Sequence, residues 1–199
     1  MIRDDFITEA RHNASAWARN LLSIPAHHWI ILDTETTGLD ENAEVIQIGV
    51  TDGAGRVLMD NVACKPLRLI PAEATAIHHI TNEMMKRAAP FQSGWDTLTR
   101  IAYGKIVVVF NAAYDRRLLI QSASRLLLPE PLLPARWECA MLKHAEWFGE
   151  WNDYRGSFRW QKLQGGDHSA LGDCIATLET IRKMAEGGER GFRITHSNL

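Results

Sequence analysis

The chain has 199 residues, 46% of them hydrophobic, so it can bury the core of one compact domain and leaves little room for a second. Its formal net charge is −2, from 22 basic and 24 acidic residues. This balance excludes a global positive field that would attract nucleic acid or a membrane surface, so a polyanionic partner would have to be held locally.

The cysteines and the N-terminal sequence bear on the cellular setting. Cys64, Cys139 and Cys174 are odd in number and far apart, which argues against a disulfide framework and against a cysteine-rich zinc site. The first residues carry charges throughout and do not resemble a targeting segment. No apolar run approaches membrane-spanning length. We therefore expect a protein of a reducing, cytoplasmic setting with no membrane partner.

The first half of the chain predicts one helix and then three strands. Apolar residues recur at helical spacing from residue 3 to about 22, and Pro25 ends that helix. "HWIILD" is typical of a strand buried on both faces, and "AEVIQIGVTD" and "GRVLMDNVAC" follow it, joined by "DGAG". The simple interpretation is an antiparallel meander. The next segment, "IPAEATAIHHITNEMMKRAAP", predicts short helical pieces separated by Pro71 and Pro90.

The second half of the chain predicts a strand among helices. After a helix near residues 93–103, "KIVVVF" is a buried strand that leads directly into the helix "AAYDRRLLIQSASRLL", as in a crossover to a parallel partner. "CAMLKHAEWFGEW" and "HSALGDCIATLETIRKMA" predict two more helices, and the Gly-rich end predicts a loose tail. The sequence therefore predicts a single α/β or α+β domain with a mixed sheet.

Acidic residues stand where the predicted elements end or begin. Asp33 and Glu35 are two apart at the end of the first strand, so their side chains point to the same side of the sheet. Asp115 lies at the start of the helix after "KIVVVF", and Asp173 lies in the apolar face of the last helix. Because strand ends and the helices beside them converge in α/β folds, we expect these four carboxylates to meet at one rim.

Four carboxylates at one rim repel one another. At about 5 Å and an effective dielectric constant of ~20, each like-charged pair costs roughly 3 kcal/mol, a large share of the stability of an ordinary domain. The acids must therefore be partly protonated or hold cations. Oxygen ligands without cysteine suit Mg²⁺ or Mn²⁺, bound through carboxylates, waters and substrate phosphates. Such ions would let a chain without excess positive charge hold a phosphodiester.

Three motifs, "DTETTGL", "NAAYD" and "HSALGD", occur in this order and resemble the exonuclease motifs of the DEDD superfamily of 3′–5′ exonucleases. The histidine five residues before the last aspartate places the resemblance in the histidine-bearing branch, DEDDh, which includes the proofreading epsilon subunit of bacterial DNA polymerase III and ribonuclease T. The resemblance runs from about residue 29 to 184 and includes "IPAEATAIHHIT". It implies an RNase H-like mixed five-stranded sheet, with three antiparallel strands first and parallel strands after them, flanked by helices.

The resemblance also implies a two-metal mechanism that releases nucleoside 5′-monophosphates. By position, Asp33, Glu35 and Asp173 would bind two divalent ions, Mg²⁺ or Mn²⁺, and Asp115 would help through a metal-bound water. His168 would act as general base on the attacking water, since imidazole accepts protons readily around neutral pH.

Three further residues would contact the substrate by the same resemblance. Thr36 and Leu39 would seat the terminal nucleotide, and Asn111 would support the site or the entering strand. The chain departs from the branch at Phe110, where histidine is common, and at His79, where glycine is common. By the resemblance, the position of Phe110 is not a metal ligand, so catalysis is expected to remain intact, whereas His79 would alter how the cleft admits the penultimate nucleotide or base.

Residues 1–26 are then expected to form an N-terminal helical extension, 27–186 the exonuclease domain and 187–199 a flexible tail. The leading hypothesis is cleavage of single-stranded or frayed DNA at 3′ ends, with a DNA polymerase subunit as a candidate partner. An exoribonuclease is the enzymatic alternative, and a module that binds nucleic acid or a polymerase without cutting is the other.

Trp147 and Trp151 either stack bases or pack in the interior. Five basic residues are candidates for phosphate contacts: Arg116, Arg117, Arg155, Arg159 and Lys162.

Overall fold

The computed structural model describes residues 2–128 and 136–187, so all of the predicted tail but its first residue lies outside the described residues. The helices are α1 (Ile2–Ser23), α2 (Ala72–His78), α3 (Asn82–Met85), α4 (Phe91–Ala102), α5 (Ala112–Arg125), α6 (Ala140–Phe148) and α7 (Ala170–Ala185). The strands are β1 (Trp29–Thr36), β2 (Val45–Asp52), β3 (Val57–Lys65), β4 (Ala89–Pro90), β5 (Ile106–Val109), β6 (Arg136–Cys139), β7 (Trp151–Asn152) and β8 (Ser157–Phe158). None of the helices in these ranges combines the length and the apolar character that crossing a membrane requires.

Within the described ranges, six strands form one sheet in the order β4-β3-β2-β1-β5-β6, and β7 and β8 form a separate hairpin. Strands β1, β2 and β3 are antiparallel neighbours, whereas β5 runs parallel to β1 and β6 parallel to β5. The predicted mixed sheet, an antiparallel meander followed by parallel strands, is therefore confirmed.

The sheet has one strand more than the five expected. Residues Ala89–Pro90 lie parallel to the end of β3 at the edge of the sheet. Pro90 lacks the N–H that an inner strand would need, which is why an edge position suits it. The helix predicted over "CAMLKHAEWFGEW" is also shorter than expected: Cys139 ends β6, and Gly149, at φ 80°, ends α6 before the β7–β8 hairpin.

The first strand of the sheet is buried on both faces, as its apolar run predicts. Ile30 and Leu32 pack with residues of α4 and α5 on one face. Trp29 and Ile31 pack with residues of α1 and α7 on the other. All four are at most 1% exposed. Since full burial of such a side chain stabilises a fold by roughly 1.5–3 kcal/mol, β1 is a central support of a three-layer domain and holds its last residues in a fixed place.

Helix α7 crosses the sheet in direct contact with β2 at Gly49. A Cβ atom at this position would lie 2.4 Å from the carbonyl carbon of Ala170 and 2.5 Å from the nitrogen of Leu171. Both are backbone atoms in the first turn of α7, so no change of rotamer relieves the clash. Glycine at position 49 therefore lets the start of α7 approach the sheet backbone to backbone.

Substitution Gly49→Ala is expected to destabilise the protein, because the added methyl group pushes the first turn of α7 away from the sheet. Overpacking against rigid backbone costs about 3 kcal/mol, which lowers the melting temperature by roughly 6–12 °C in a chain of this length. Thermal unfolding followed by circular dichroism measures the shift. Gly38→Ala is the matched control, since a Cβ there meets no atom within 4 Å. Equal melting temperatures for the two variants would contradict the close approach.

Candidate active site

Three of the four predicted acids come together at the end of β1. Asp33 and Glu35 lie on that strand, and Asp173 lies in the first turn of α7. Each offers a carboxylate oxygen, and these oxygens all lie within 4.8 Å of one another. The first turn of α7 thus adds a carboxylate to the pair that alternation along β1 places on one side of the sheet.

Asp115, in the first turn of α5, lies behind this group of three and is held by β1. Its side chain is 3% exposed. Its Oδ1 accepts hydrogen bonds from the Thr34 backbone N–H at 3.1 Å and from the Thr34 hydroxyl at 2.8 Å. The structure therefore fixes Asp115 through Thr34, the residue between the two β1 acids.

Burial and mutual repulsion make ionisation of these acids costly. Burial, and then repulsion by Asp115, Asp173 and Glu35, raises the pKa of Asp33 well above its usual value. Burial, and then repulsion by Asp173 and Asp115, raises the pKa of Glu35 to about 8. Burial raises the pKa of Asp115 to about 7 although the hydrogen bonds from Thr34 oppose the shift. Burial also raises the pKa of Asp173.

This donor set fits a divalent cation. Three carboxylate oxygens within 4.8 Å of one another present hard oxygen ligands, and each has lost part of its hydration. A cation among them would replace the lost hydration and cancel the repulsion that raises the pKa values. The chemistry of the site therefore favours a hard divalent cation over a soft metal, which prefers sulfur ligands.

The loop before α7 turns back onto Asp173. The carboxylate Oδ1 of Asp173 accepts hydrogen bonds from the backbone N–H of Asp167 at 3.1 Å and of His168 at 3.3 Å. His168 has a left-handed backbone, at φ 60°, and its side chain is exposed. These contacts place the backbone of His168 beside the carboxylate of Asp173.

Two amide side chains of the sheet hold the start of α7. Gln47 Oε1 accepts a hydrogen bond from the N–H of Ala170 at 2.9 Å, and Asn61 Oδ1 accepts one from Leu171 at 2.8 Å. Gln47 is also the residue of β2 that pairs with Glu35 on β1. The sequence prediction missed both residues. For Gln47 the available signal was a polar side chain between two apolar residues of β2.

The predicted nucleotide-seating residues line the loop after β1. The hydroxyls of Thr36 and Tyr114 lie 2.7 Å apart, and both donate to the carbonyl oxygen of Gly38, at 2.9 and 2.8 Å. Leu39 follows with 77% of its surface exposed. Asn111 stands just before α5, and its side chain makes no capping hydrogen bond to that helix. Tyr114, which the sequence prediction missed, fixes the loop that presents Leu39.

The far end of this loop is closed by a buried acid outside the acidic group. Glu44 is 7% exposed, and its carboxylate accepts hydrogen bonds from the backbone N–H groups of Leu67 at 2.8 Å and Arg68 at 3.1 Å. The Thr37 N–H donates to the Glu44 carbonyl oxygen at 2.9 Å. The loop after β1 is therefore tied to the end of β3, and Glu44 is a structural residue that its sequence position did not reveal.

Trp147 and Trp151, for which the sequence left base stacking and packing open, both pack against other residues in the structure. Trp147 is partly buried against the core between α1 and α7. Trp151 lies edge-on to Phe6, with ring centroids 5.2 Å apart. Among the basic candidates, Arg117 donates a hydrogen bond to the carbonyl oxygen of Leu39 at 3.0 Å, so it braces the loop after β1.

The raised pKa values predict that the metal-free protein loses stability as the pH rises. Glu35 and Asp115 titrate near pH 8 and 7 in the folded state, against ordinary values of 4.5 and 3.8. Between about pH 4 and 8 the folded state therefore binds more protons than the unfolded chain, and the free energy of unfolding falls. In a chelator, Glu35→Gln is expected to raise the melting temperature at pH 8 by about 3–6 °C and to change it little at pH 5.

Differential scanning calorimetry of the chelated protein at both pH values measures this effect. Glu9→Gln, an exposed residue of α1, is the control and is expected to leave the melting temperature unchanged. A melting temperature of Glu35→Gln that matches the wild type at pH 8 would contradict the repulsion inferred for the site.

Comparison with known proteins connects this arrangement to a family. The RNase_T family profile, described as exonuclease, matches residues 30–181, a segment that contains all four acids. The uncharacterized exonuclease CP81 of Escherichia phage 186 is 38% identical over 174 residues, which cover 80% of this chain and 89% of that protein. DNA polymerase III subunit epsilon of Escherichia coli is 35% identical over 95 residues, 43% of this chain and 39% of that subunit.

Solved structures agree with the family match. Exonuclease X, solved in complex with 5′ overhanging duplex DNA, is 27% identical, with a TM-score of 0.54 over 79% of this chain and 91% of that chain. The nuclease domain of 3′hExo, bound to rAMP, shares the fold at 13% identity, with a TM-score of 0.55 over 80% of this chain and 92% of that chain. With the acids of its three motifs inside the matched segment, the chain belongs to the DEDD-type exonucleases and is a 3′–5′ exonuclease acting on nucleic acid.

Proposed function

We propose that the protein removes nucleotides one at a time from the 3′ ends of single-stranded or frayed DNA, as a member of the histidine-bearing branch. The observation that carries the proposal is the group of carboxylate oxygens from Asp33, Glu35 and Asp173 within 4.8 Å of one another. The proposed exonuclease domain spans 27–186, in keeping with the family match over 30–181, and residues 1–26 precede it as a helical extension.

In this proposal Asp33, Glu35 and Asp173 would hold two divalent ions, Mg²⁺ or Mn²⁺, and Asp115 would help through a water. Bound ions of this kind lower the pKa of water and stabilise the leaving oxygen of a phosphodiester. The residues of the chain supply the geometry: Thr34 fixes Asp115, and the backbone amides of Asp167 and His168 orient the Asp173 carboxylate. Metal binding would keep these acids ionised despite their raised pKa values.

His168 is proposed as the general base that takes a proton from the attacking water. Its backbone N–H donates a hydrogen bond to Asp173 Oδ1, and its side chain is exposed. Imidazole suits this task because it exchanges protons near neutral pH. The left-handed backbone of His168 supports the assignment, since unusual backbone conformations of non-glycine residues concentrate at functional sites.

The substrate end is proposed to bind along the loop after β1. Thr36 and Leu39 seat the terminal nucleotide, with the exposed Leu39 side chain against the base, and Asn111 contacts the entering strand. DNA is favoured over RNA because Exonuclease X, at 27% identity, was solved with DNA. The likeness to polymerase III epsilon covers 39% of that subunit and supports a DNA polymerase subunit as a candidate partner.

Incubation with matched 3′-ended DNA and RNA oligonucleotides in Mg²⁺ or Mn²⁺ tests the activity. We expect stepwise release of nucleoside 5′-monophosphates from single-stranded DNA, and Asp33→Ala is expected to lower the rate at least about 100-fold. Asp96→Ala, an exposed acid of α4, is the matched control. Degradation of RNA alone would overturn the DNA assignment, and binding of single strands without cleavage would replace the enzyme by a binding module.

The base assignment predicts a specific pH dependence. His168→Ala is expected to lower kcat about 100-fold or more at pH 7.5 and to flatten the acid side of the pH–rate profile, because the variant has no imidazole to act as general base. Single-turnover rates between pH 5.5 and 9 measure both effects. His12→Ala, an exposed histidine of α1, is the control. A variant at position 168 that keeps the wild-type rate and pH profile would exclude the histidine mechanism.

A further inference from the structure

The β7–β8 hairpin and the segment after it carry an open groove of about 520 Å³, lined by Asn152, Arg155, Ser157, Phe158, Arg159 and Trp160. The indole of Trp160 is 66% exposed, and Tyr154 at the turn of the hairpin is 97% exposed. Large aromatic rings so exposed beside two arginines are unusual on a surface that only meets water.

The hairpin is held in place by helix α1. The ring of Phe6 lies 5.2 Å from Trp151 and 5.8 Å from Phe158, and those two rings lie 5.1 Å from each other. Such clusters of aromatic rings stabilise a short hairpin that two-residue strands could not hold by themselves. The groove therefore has a fixed base, although β7 and β8 contribute few backbone hydrogen bonds.

A second contact of α1 fixes the chain where it enters the hairpin. Arg11 donates to the carbonyl oxygens of Trp147 at 2.9 Å and Phe148 at 3.1 Å, the last residues of α6. Gly149, with φ 80°, then turns the chain directly beneath Arg11. Helix α1 lies outside the segment that the family profile matches, which begins at residue 30. The extension thus supports the β7–β8 hairpin.

Charge and distance both suit a nucleic-acid strand. The ion pair of Arg159 with Glu150, at 3.2 Å, is half exposed on both sides, so exchanging Glu150 for a phosphate costs little. Trp160 is eight residues from His168, which places it within about 28 Å of that residue even if the chain is fully extended. A single strand whose 3′ end lies at the acidic group can therefore reach the groove a few nucleotides upstream.

We propose that this groove binds the upstream part of the single-stranded substrate, and that α1 serves to hold it. Arg155 and Arg159 contact phosphates, and a base stacks on Trp160. Single-strand binding by stacking on aromatic rings beside positive charge is sequence-tolerant, as an exonuclease that advances along its substrate requires. The inference rests on the proposed function, since it extends the path of the strand cut at Asp33, Glu35 and Asp173.

Comparing a dinucleotide with a 15-nucleotide single strand tests the proposal. A dinucleotide occupies only the acidic site, so Trp160→Ala and the double variant Arg155→Ala/Arg159→Ala are expected to cut it within twofold of the wild-type kcat/KM. On the 15-nucleotide strand each is expected to lose about tenfold. Phe6→Ala, which releases the hairpin from α1, is expected to give the same pattern. The control Arg182→Ala/Lys183→Ala removes equal charge from the last turn of α7.

A binding measurement separates failure of the groove from failure of the proposed function. In an Asp33→Asn background, fluorescence anisotropy of a labelled 15-nucleotide strand gives affinity against salt concentration. The double arginine variant is expected to reduce the slope of log K against log salt by about 1.4, from two lost phosphate contacts. Equal loss on both substrate lengths, or no loss on the longer one with an unchanged salt slope, overturns the proposal. If the groove residues contribute to binding of the 15-nucleotide strand as expected but the wild type cuts neither substrate, the nuclease assignment is overturned and the groove proposal stands.

Discussion

The attachment of the first turn of α7 to the sheet is the contact on which the acidic group depends. Gly49 permits backbone-to-backbone approach, and Gln47 and Asn61 accept hydrogen bonds from N–H groups that the start of a helix leaves without internal partners. Asp173 is 138 residues beyond Glu35 in the chain, and this attachment brings the two carboxylates together. The position of Asp173 in the site thus depends on neutral residues of β2 and β3 that carry out no chemistry.

The repulsion among the carboxylates opposes this attachment, because it favours their separation. The folded protein keeps Asp33, Glu35 and Asp173 together although burial makes each charge unfavourable, as their raised pKa values show. The hydrophobic packing on both faces of β1 offsets this cost, because a strand buried so completely cannot shift to relieve it. The packing of β1 thus keeps the carboxylates together, and a cation among them would relieve their repulsion.

Much of this arrangement could be predicted from the sequence because it depends on short-range pattern. The apolar run before Asp33 predicts a buried strand, alternation places Glu35 on the same side, and "KIVVVF" followed by a helix predicts the parallel crossover. Strands of two residues, β4, β7 and β8, show no periodicity and were not predicted. Gln47 was missed for another reason: its partner lies 123 residues away, and only the assembled sheet shows which backbone N–H it meets.

The packing of α1 has a consequence for where this protein can be divided. Ala14, Ala18 and Leu21 are buried, and the helix covers α6 and α7 on the face opposite α4 and α5. The similarity to the exonuclease family begins at residue 30, so a fragment cut at that boundary would leave the apolar surfaces of Leu178 and Ile181 without their cover. The segment that the family profile matches therefore lacks a helix that covers part of the core, and a fragment limited to that segment would expose an apolar surface that favours aggregation.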